Sequence, residues 1–504
     1  MTTSDLLHQL IQTLTKNEKI YFKRFAALHL YRGKNNYIKL FDAISAQKKY
    51  DEPEIRKKLK NESFISFLSR EKTYLYDLIL KSLRSYDTNS PFVEGKISDN
   101  LRNVHILFRK GQYAQCRKII NKSLDIAKRY ELYVYELKLL EYKMSLPAVQ
   151  GFASNSSHQT NLLFNDAHLL LNKYDSFLKH LQQQYLIYGS FTEKKNNENN
   201  NGIIIPKITK TAILKKSFLL QITKLHYQVA KYEQIGNYVK VFEYTEKIII
   251  LFDKHPHQIS QRPNTYFSAI MGNVHSSICK RDYSAALKII ENIKKITTAS
   301  DFLQNKIQLN SHIFKIRICI ESGNFQKEEI LVSDATNFIS SKATDRLSST
   351  DLFILYYNIA YLYFGKGKYD LANKFLQKIF VFEKNIYRFD FIYFAYLLHV
   401  IIYFETGKTD LLKREILFLT RFFKKQRHVD PIKQLIFEFL KKISKNTSKD
   451  VSVKKEFVNL KSNISKALKK ESKEYLLYFN VLAWVESKIS NTSFAETMSK
   501  RLMR

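Results

Sequence analysis

Apolar residues recur every three to four positions along most of this chain, and short polar or glycine-containing segments interrupt them. The pattern is fullest in residues 356–382, YYNIAYLYFGKGKYDLANKFLQKIFVF. There an apolar run that contains Ala360 and Tyr363 is followed by Gly367, and a second run places Ala372 near its centre. This spacing predicts two antiparallel helices that are joined by a short turn and cross closely at the small residues.

Similar helix pairs are predicted on both sides of this segment. Five turns between helices are marked by glycine, which adopts the backbone conformation that a tight turn needs: Gly111, Gly236, Gly323, Gly367 and Gly407. A sixth turn, at Arg281-Asp282, has no glycine. From Gly236 onward, successive turns lie 45, 42, 44 and 40 residues apart. This near-constant spacing indicates an internal repeat.

In residue type at these offsets, the helix pairs resemble the tetratricopeptide repeat. That repeat is about 34 residues long and usually ends with a proline. The units of this chain are longer, and Lys384 stands where the best copy would have that proline. The resemblance implies an all-α fold, a superhelical stack of antiparallel helix pairs over residues 100–445 with helical caps at both ends.

The whole chain is also similar to an uncharacterised bacterial family of helical-repeat proteins. Three segments carry this similarity: LTKNEKIYFKRF (14–25), YLYDLILKSLR (74–84) and KEYLLYFNVLAWVESKI (473–489). The similarity supports the same fold and implies no activity.

Residues 1–90 do not follow the repeat and predict a helical cap. Its last three helices are expected at residues 37–48, 54–60 and 63–86. These helices could also form a helix-turn-helix that offers one helix to DNA. Eight basic residues would serve that function: Arg56, Lys57, Lys58, Lys60, Arg70, Lys72, Lys81 and Arg84. The second and third helices are not separated by a glycine-marked turn, which favours the cap.

Residues 453–504 predict a second cap. Its main helix is expected at residues 471–490, with Trp484 packed on the apolar side. Within the array, the polar residues 193–202, EKKNNENNNG, predict a mobile loop.

The chain is strongly basic, with 82 Lys and Arg, 47 Asp and Glu, and a formal net charge of +35. Residues 421–470 hold 15 basic and 4 acidic residues. Such a field attracts polyanions, whether nucleic acid or an acidic protein surface. Nine basic residues are candidates for a polyanion-binding surface: Arg421, Lys424, Lys425, Arg427, Lys441, Lys442, Lys466, Lys469 and Lys470. The alternative is that the charge serves solubility.

No motif predicts catalysis or a cofactor. Gly407-Lys408-Thr409 resembles the end of a phosphate-binding loop, but Ile402 stands where that loop needs another glycine, and a helix leads into it. His255-Pro256-His257 has no cluster of Cys or carboxylates beside it to complete a metal site. The three cysteines are scattered and predict no disulfide framework. We therefore expect a protein that is not an enzyme and needs no cofactor or metal.

The start of the chain has no basic region followed by an apolar run, so no signal peptide is predicted. Two predominantly apolar uncharged runs, residues 352–365 and 391–404, each span 14 residues, fewer than the ~20 that a bilayer needs. We expect a cytoplasmic protein that does not insert into membranes.

The leading hypothesis is a non-catalytic scaffold that binds an acidic protein segment in its groove. The alternative is a nucleic-acid- or ribosome-associated protein or regulator that uses the basic C-terminal half and the N-terminal helices. The oligomeric state stays open.

Overall fold

The computed structural model describes residues 3–28, 36–86, 92–149, 157–193, 217–234, 237–293, 301–341, 347–381, 389–424, 431–445, 450–467 and 478–502. Within these ranges every regular element is a helix and none is a β-strand. The all-α prediction is thus confirmed, while the superhelical arrangement stays a prediction. The chain divides into two compact units, Met1–Ser157 and His158–Arg504. The finer division into residues 1–90, 100–445 and 453–504 also stays a prediction.

The described part of the first unit has eight α-helices: α1 (Thr3–Thr13), α2 (Lys16–Leu28), α3 (Asn36–Ser45), α4 (Glu52–Lys58), α5 (Leu68–Tyr86), α6 (Val93–Arg109), α7 (Tyr113–Tyr130) and α8 (Tyr133–Val149). A short 3-10 helix, Ser63–Phe67, leads into α5. Helices α1, α2, α3 and α5 enclose one apolar core, in which Leu7, Phe22, Phe41 and Leu75 are fully buried. Helices α6, α7 and α8 pack in sequence order.

The second unit begins within α9 (Ser157–Glu193). The helices that follow are α10 (Phe218–Gln234), α11 (Tyr238–Lys254), α12 (His257–Gln261), α13 (Pro263–Cys279), α14 (Tyr283–Ile293), α15 (Asp301–Glu321), α16 (Glu328–Ser340), α17 (Ser349–Gly365), α18 (Tyr369–Phe380), α19 (Phe389–Glu405), α20 (Thr409–Lys424), α21 (Pro431–Lys445), α22 (Asp450–Ala467), α23 (Val481–Ser490) and α24 (Phe494–Leu502). The loop predicted at residues 193–202 begins at the last residue of α9, and its remainder lies outside the described residues.

Helices of the second unit pack in neighbouring pairs. Helix α10 packs on α11, α13 on α14, α15 on α16, α17 on α18 and α19 on α20. The first helices of successive pairs also contact one another, from α13 through α15 and α17 to α19. A first helix that has partners on several sides must be apolar around most of its surface. This explains why ten residues of α17 are buried, whereas only four residues of α18 are buried.

The turns between paired helices share one backbone geometry. The predicted turn glycines Gly111, Gly323, Gly367 and Gly407 have φ of 71°, 62°, 74° and 65°, the left-handed region. The residue after each glycine donates its N–H to the carbonyl five residues earlier, as in a Schellman cap. Arg281 adopts the same conformation, with φ of 64°, although it has a side chain. Gly236 lies outside the described residues.

The C-terminal residues fold back onto the paired helices of the second unit. The Tyr357 hydroxyl donates to the carbonyl of Tyr478 at 3.0 Å. The backbone N–H of Asn480 donates to the Tyr361 hydroxyl at 2.9 Å. Further along, the Ser499 hydroxyl donates to the carbonyl of Gly323 at 3.0 Å. Residues 478–502 therefore contact α17 and the turn after α15.

The predicted helix over residues 471–490 is wrong in one respect, because Phe479 and Asn480 are not helical and α23 begins at Val481. The Asn480 side chain accepts a hydrogen bond from the N–H of Ala483 and so caps α23. The bond from the Asn480 N–H to Tyr361 fixes the same residue outside a helix. A tertiary contact and a helix cap thus break the helix that the apolar periodicity predicts.

Trp484 and Glu405 form a buried polar contact between α23 and the end of α19. The indole N–H of Trp484 donates to Glu405 Oε1 at 2.7 Å, and Lys488 pairs with Glu405 Oε2. The Tyr369 hydroxyl donates to the same Oε2 at 3.3 Å. Trp484 is 1% exposed, which confirms that it packs in the core. We call Glu405, Trp484 and Lys488 the C-terminal clasp.

Candidate polyanion-binding surface

Four of the nine predicted polyanion-binding residues have described side chains. Arg421, Lys442 and Lys466 are exposed, and Lys441 is half-buried. Lys424 is the last residue of α20, and nothing is described of its side chain. Lys425, Arg427, Lys469 and Lys470 lie outside the described residues.

Two of these four cations are paired with carboxylates. Lys442 Nζ lies 2.7 Å from Glu456 Oε1, and Lys441 Nζ lies 3.6 Å from Glu438 Oε2. Both lysines and both glutamates line a groove of about 460 Å³ that α21 and α22 form. The groove therefore has mixed charge. Its lysines attract a polyanion more weakly than the number of basic residues in the sequence suggests, because each carboxylate offsets the charge of one lysine.

In the first unit, Glu52 pairs with two of the eight cations assigned to the helix-turn-helix hypothesis. Lys72 Nζ donates to Glu52 Oε2 at 2.6 Å, and Arg56 Nη2 donates to Glu52 Oε1 at 2.8 Å. The hydrogen bond from Lys72 is the largest effect that lowers the pKa of Glu52 to about 2. The Lys72 side chain is only 11% exposed. Lys72 therefore holds the start of α4 against α5 and is not available to DNA.

A cavity of about 490 Å³ lies between α3 and α4. Lys48, Lys49 and Lys58 line it together with Asp51 and Glu54. Here, too, carboxylates stand among the lysines, so the cavity does not select an anion.

Helix α7 presents the most basic exposed surface that we find among the described helices. The helix contains five basic residues and one acidic residue: Arg117, Lys118, Lys122, Lys128, Arg129 and Asp125, all exposed. Lys118, Lys122, Asp125 and Arg129 are spaced by four, three and four residues, so they share one stripe of the helix. We call the six residues together the α7 basic face.

The cations of the α7 basic face have few partners within the described part of the chain. Lys118, Lys122 and Lys128 have neither a hydrogen bond nor an ion pair to another described side chain. The Arg129 guanidinium lies 5.8 Å from the ring centre of Tyr130. The three lysine charges therefore remain exposed to solvent and to a partner.

The opposite side of α7 fixes this orientation. Cys116, Ile120, Leu124 and Ala127 are buried at helical spacing. The Asn100 amide on α6 donates to the Ser123 hydroxyl at 2.9 Å, within that buried side. Every cation of the helix consequently faces outward. The apolar periodicity of residues 113–130 could have predicted that these cations face outward. A count of net charge misses them, because the largest basic excess falls in residues 421–470.

Other classes of site are not evident in the described ranges. No three His, Cys, Asp or Glu side chains there are grouped closely enough to hold a metal ion. Within the same ranges, no helix combines the length and the apolar character that crossing a membrane requires. Comparisons with protein families, curated proteins and solved structures gave no match for this chain.

Proposed function

We propose that this protein is a non-catalytic scaffold of stacked, tetratricopeptide-like helix pairs that binds an acidic protein segment through the α7 basic face. The observation that carries the proposal is the set of exposed lysines on α7, Lys118, Lys122 and Lys128, which lack carboxylate partners among the described residues. This site lies in the first unit, and the nine candidate residues of the C-terminal half stay a prediction.

The spacing of the cations suits an extended or helical acidic segment. Residues four apart on a helix have Cβ atoms about 6 Å from one another, so Lys118 and Lys122 can contact successive carboxylates of one partner. An exposed ion pair contributes about 0.2–1 kcal/mol. Several such pairs contribute more to the association rate and to partner choice than to affinity.

One further observation favours a protein partner at this surface. On the helices that pack against α7, Ile106 and Val134 are 46% and 55% exposed. Apolar side chains contribute to protein interfaces, whereas a phosphate backbone would use the cations alone.

The test compares binding of labelled poly-L-glutamate to two charge-reversed variants. K118E/K122E alters the α7 basic face, and K454E/K455E reverses two exposed lysines of α22 as a matched control for net charge. We expect K118E/K122E to bind about tenfold more weakly than the control, with a clear decrease in wild-type affinity as salt increases. Circular dichroism checks that both variants are folded.

Equal binding by the two variants would overturn the proposal, because the attraction would then come from net charge. If K118E/K122E weakens binding of a labelled oligonucleotide more than it weakens binding of poly-L-glutamate, the partner of the α7 basic face is nucleic acid rather than protein.

A further inference from the structure

Two aromatic side chains are unusually exposed at the start of α5. Phe67, at the end of the 3-10 helix, is 56% exposed, and Tyr74 is 44% exposed. Large aromatic rings are normally buried in a folded chain, because burying each one stabilises the fold by a few kcal/mol. Exposed rings next to cations are therefore an informative exception.

These rings lie along a row of cations. Arg70, Tyr74, Asp77, Lys81 and Arg84 are all exposed and are spaced by four, three, four and three residues. That spacing places them on one face of α5. At about 1.5 Å per residue, the row extends for roughly 21 Å. We call Phe67 and these five residues the α5 aromatic face.

Both rings are held in place by neighbours. The Arg70 guanidinium carbon lies 4.9 Å from the centre of the Phe67 ring. Tyr74 is stacked on Tyr37 of α3, with ring centres 4.5 Å apart and an angle of 27° between the planes. Lys81 and Arg84 have no ion pair to another described side chain. Arg70 Nη2 lies 3.5 Å from Glu71 Oε1, so its charge is partly offset. The face thus combines fixed aromatic rings with two available cations, Lys81 and Arg84.

The opposite side of α5 anchors the helix. Leu68, Leu75 and Ile79 are buried there, and Lys72 pairs with Glu52. Lys72 is two residues from both Arg70 and Tyr74, which places it on nearly the opposite side of the helix. A ligand on the α5 aromatic face therefore meets a surface that is already ordered.

We propose that the α5 aromatic face binds single-stranded nucleic acid, with bases stacked on Phe67 and Tyr74 and phosphates paired with Lys81 and Arg84. Base stacking on aromatic rings, combined with a basic track, is the general mode of single-strand binding. The row is long enough for a few nucleotides. This surface is separate from the α7 basic face, so either proposal can fail without the other.

A single strand fits this face better than a duplex. The bases of a duplex are already stacked on one another, so the two rings would gain little from them, and the duplex would present mainly phosphates. Asp77 stands in the middle of the cation row and would repel the phosphates of either form, so the preference for a single strand rests on the two rings.

The test measures fluorescence anisotropy of a labelled oligothymidylate of about 12 nucleotides with F67A and F302A. Phe302 is a matched control, because it is 40% exposed and the Lys306 ammonium lies 5.4 Å from its ring centre in the second unit. Stacking on one ring contributes about 1–3 kcal/mol, so we expect F67A to bind roughly 5- to 150-fold more weakly. F302A should bind within about twofold of wild type, and F67Y, which keeps the ring, should retain binding.

Three results would overturn this proposal: equal binding by F67A and F302A, loss of binding in F67Y, or a duplex of the same length that binds as tightly as the single strand. The variant K118E/K122E distinguishes the two proposals. It should weaken binding of poly-L-glutamate and leave the dependence of oligothymidylate binding on Phe67 unchanged.

Discussion

The C-terminal clasp predicts an unequal effect of removing each member of one ion pair. The Glu405 side chain is 5% exposed, whereas the Lys488 side chain is 33% exposed. In K488M the buried carboxylate loses its cation and keeps only the donors from Trp484 and Tyr369. In E405Q the lysine loses its partner but can still reach water. We therefore expect K488M to be more destabilising than E405Q.

The magnitudes follow from burial. Breaking a buried ion pair by removing one partner costs about 3–5 kcal/mol. The Trp484 and Tyr369 donors stay bonded to Glu405 in K488M, so we expect a cost at the low end of this range, about 3 kcal/mol. E405Q keeps an acceptor for the Trp484 indole, so we expect a cost of about 1 kcal/mol. The double variant has no charge left and should also cost about 1 kcal/mol, well below the sum of the single effects.

Urea unfolding followed by tryptophan fluorescence measures these differences directly, because Trp484 is the chain's only tryptophan. Its ring packs against Phe404, Phe439 and Phe457, so its emission reports on this region. The control is K461M, which removes a more exposed pair, with side chains 44% and 22% exposed, and should cost less than about 1 kcal/mol. The reasoning fails if K488M is no more destabilising than E405Q, or if the two effects add.

Two further predictions concern the same unit. We expect G323A to release α24 from the turn after α15 more than G367A does. Both glycines have positive φ, so alanine is strained at either position. Only at Gly323 would the added Cβ also clash, since it would lie 2.7 Å from the backbone nitrogen of Ser499. Hydrogen exchange of residues 494–502 measures this, and equal exchange in the two variants would contradict it. Burial raises the pKa of Glu321 from 4.5 to about 7. The folded state therefore holds this proton more tightly, and its contribution to stability is present below about pH 4.5 and is lost as pH rises through 7. The urea midpoint of wild type relative to E321Q should fall by the equivalent of about 3 kcal/mol between pH 4.5 and 8, because each unit of pKa difference corresponds to about 1.4 kcal/mol, and a constant difference would contradict the assignment.

The helices and their turns could be predicted from the sequence because their causes are local. A left-handed turn residue and a 3.6-residue apolar period act within a few positions, so the residue pattern alone predicts the turns at Gly111, Gly323, Gly367 and Gly407. The burial of Trp484 followed from the same periodicity. The helix pairs around these turns were therefore determined by the local sequence itself.

Only the tertiary structure decided which charges are available. Lys72 and Lys442 look like free cations in the sequence, yet each has a carboxylate partner that is distant along the chain, Glu52 and Glu456. The break at Asn480 likewise depends on Tyr361, which is 119 residues away. Pairing and burial depend on distances in space, which net charge and periodicity do not contain. For this reason the proposed surfaces on α7 and α5 were chosen by pairing and burial, whereas the candidate residues of the basic C-terminal segment stay a prediction.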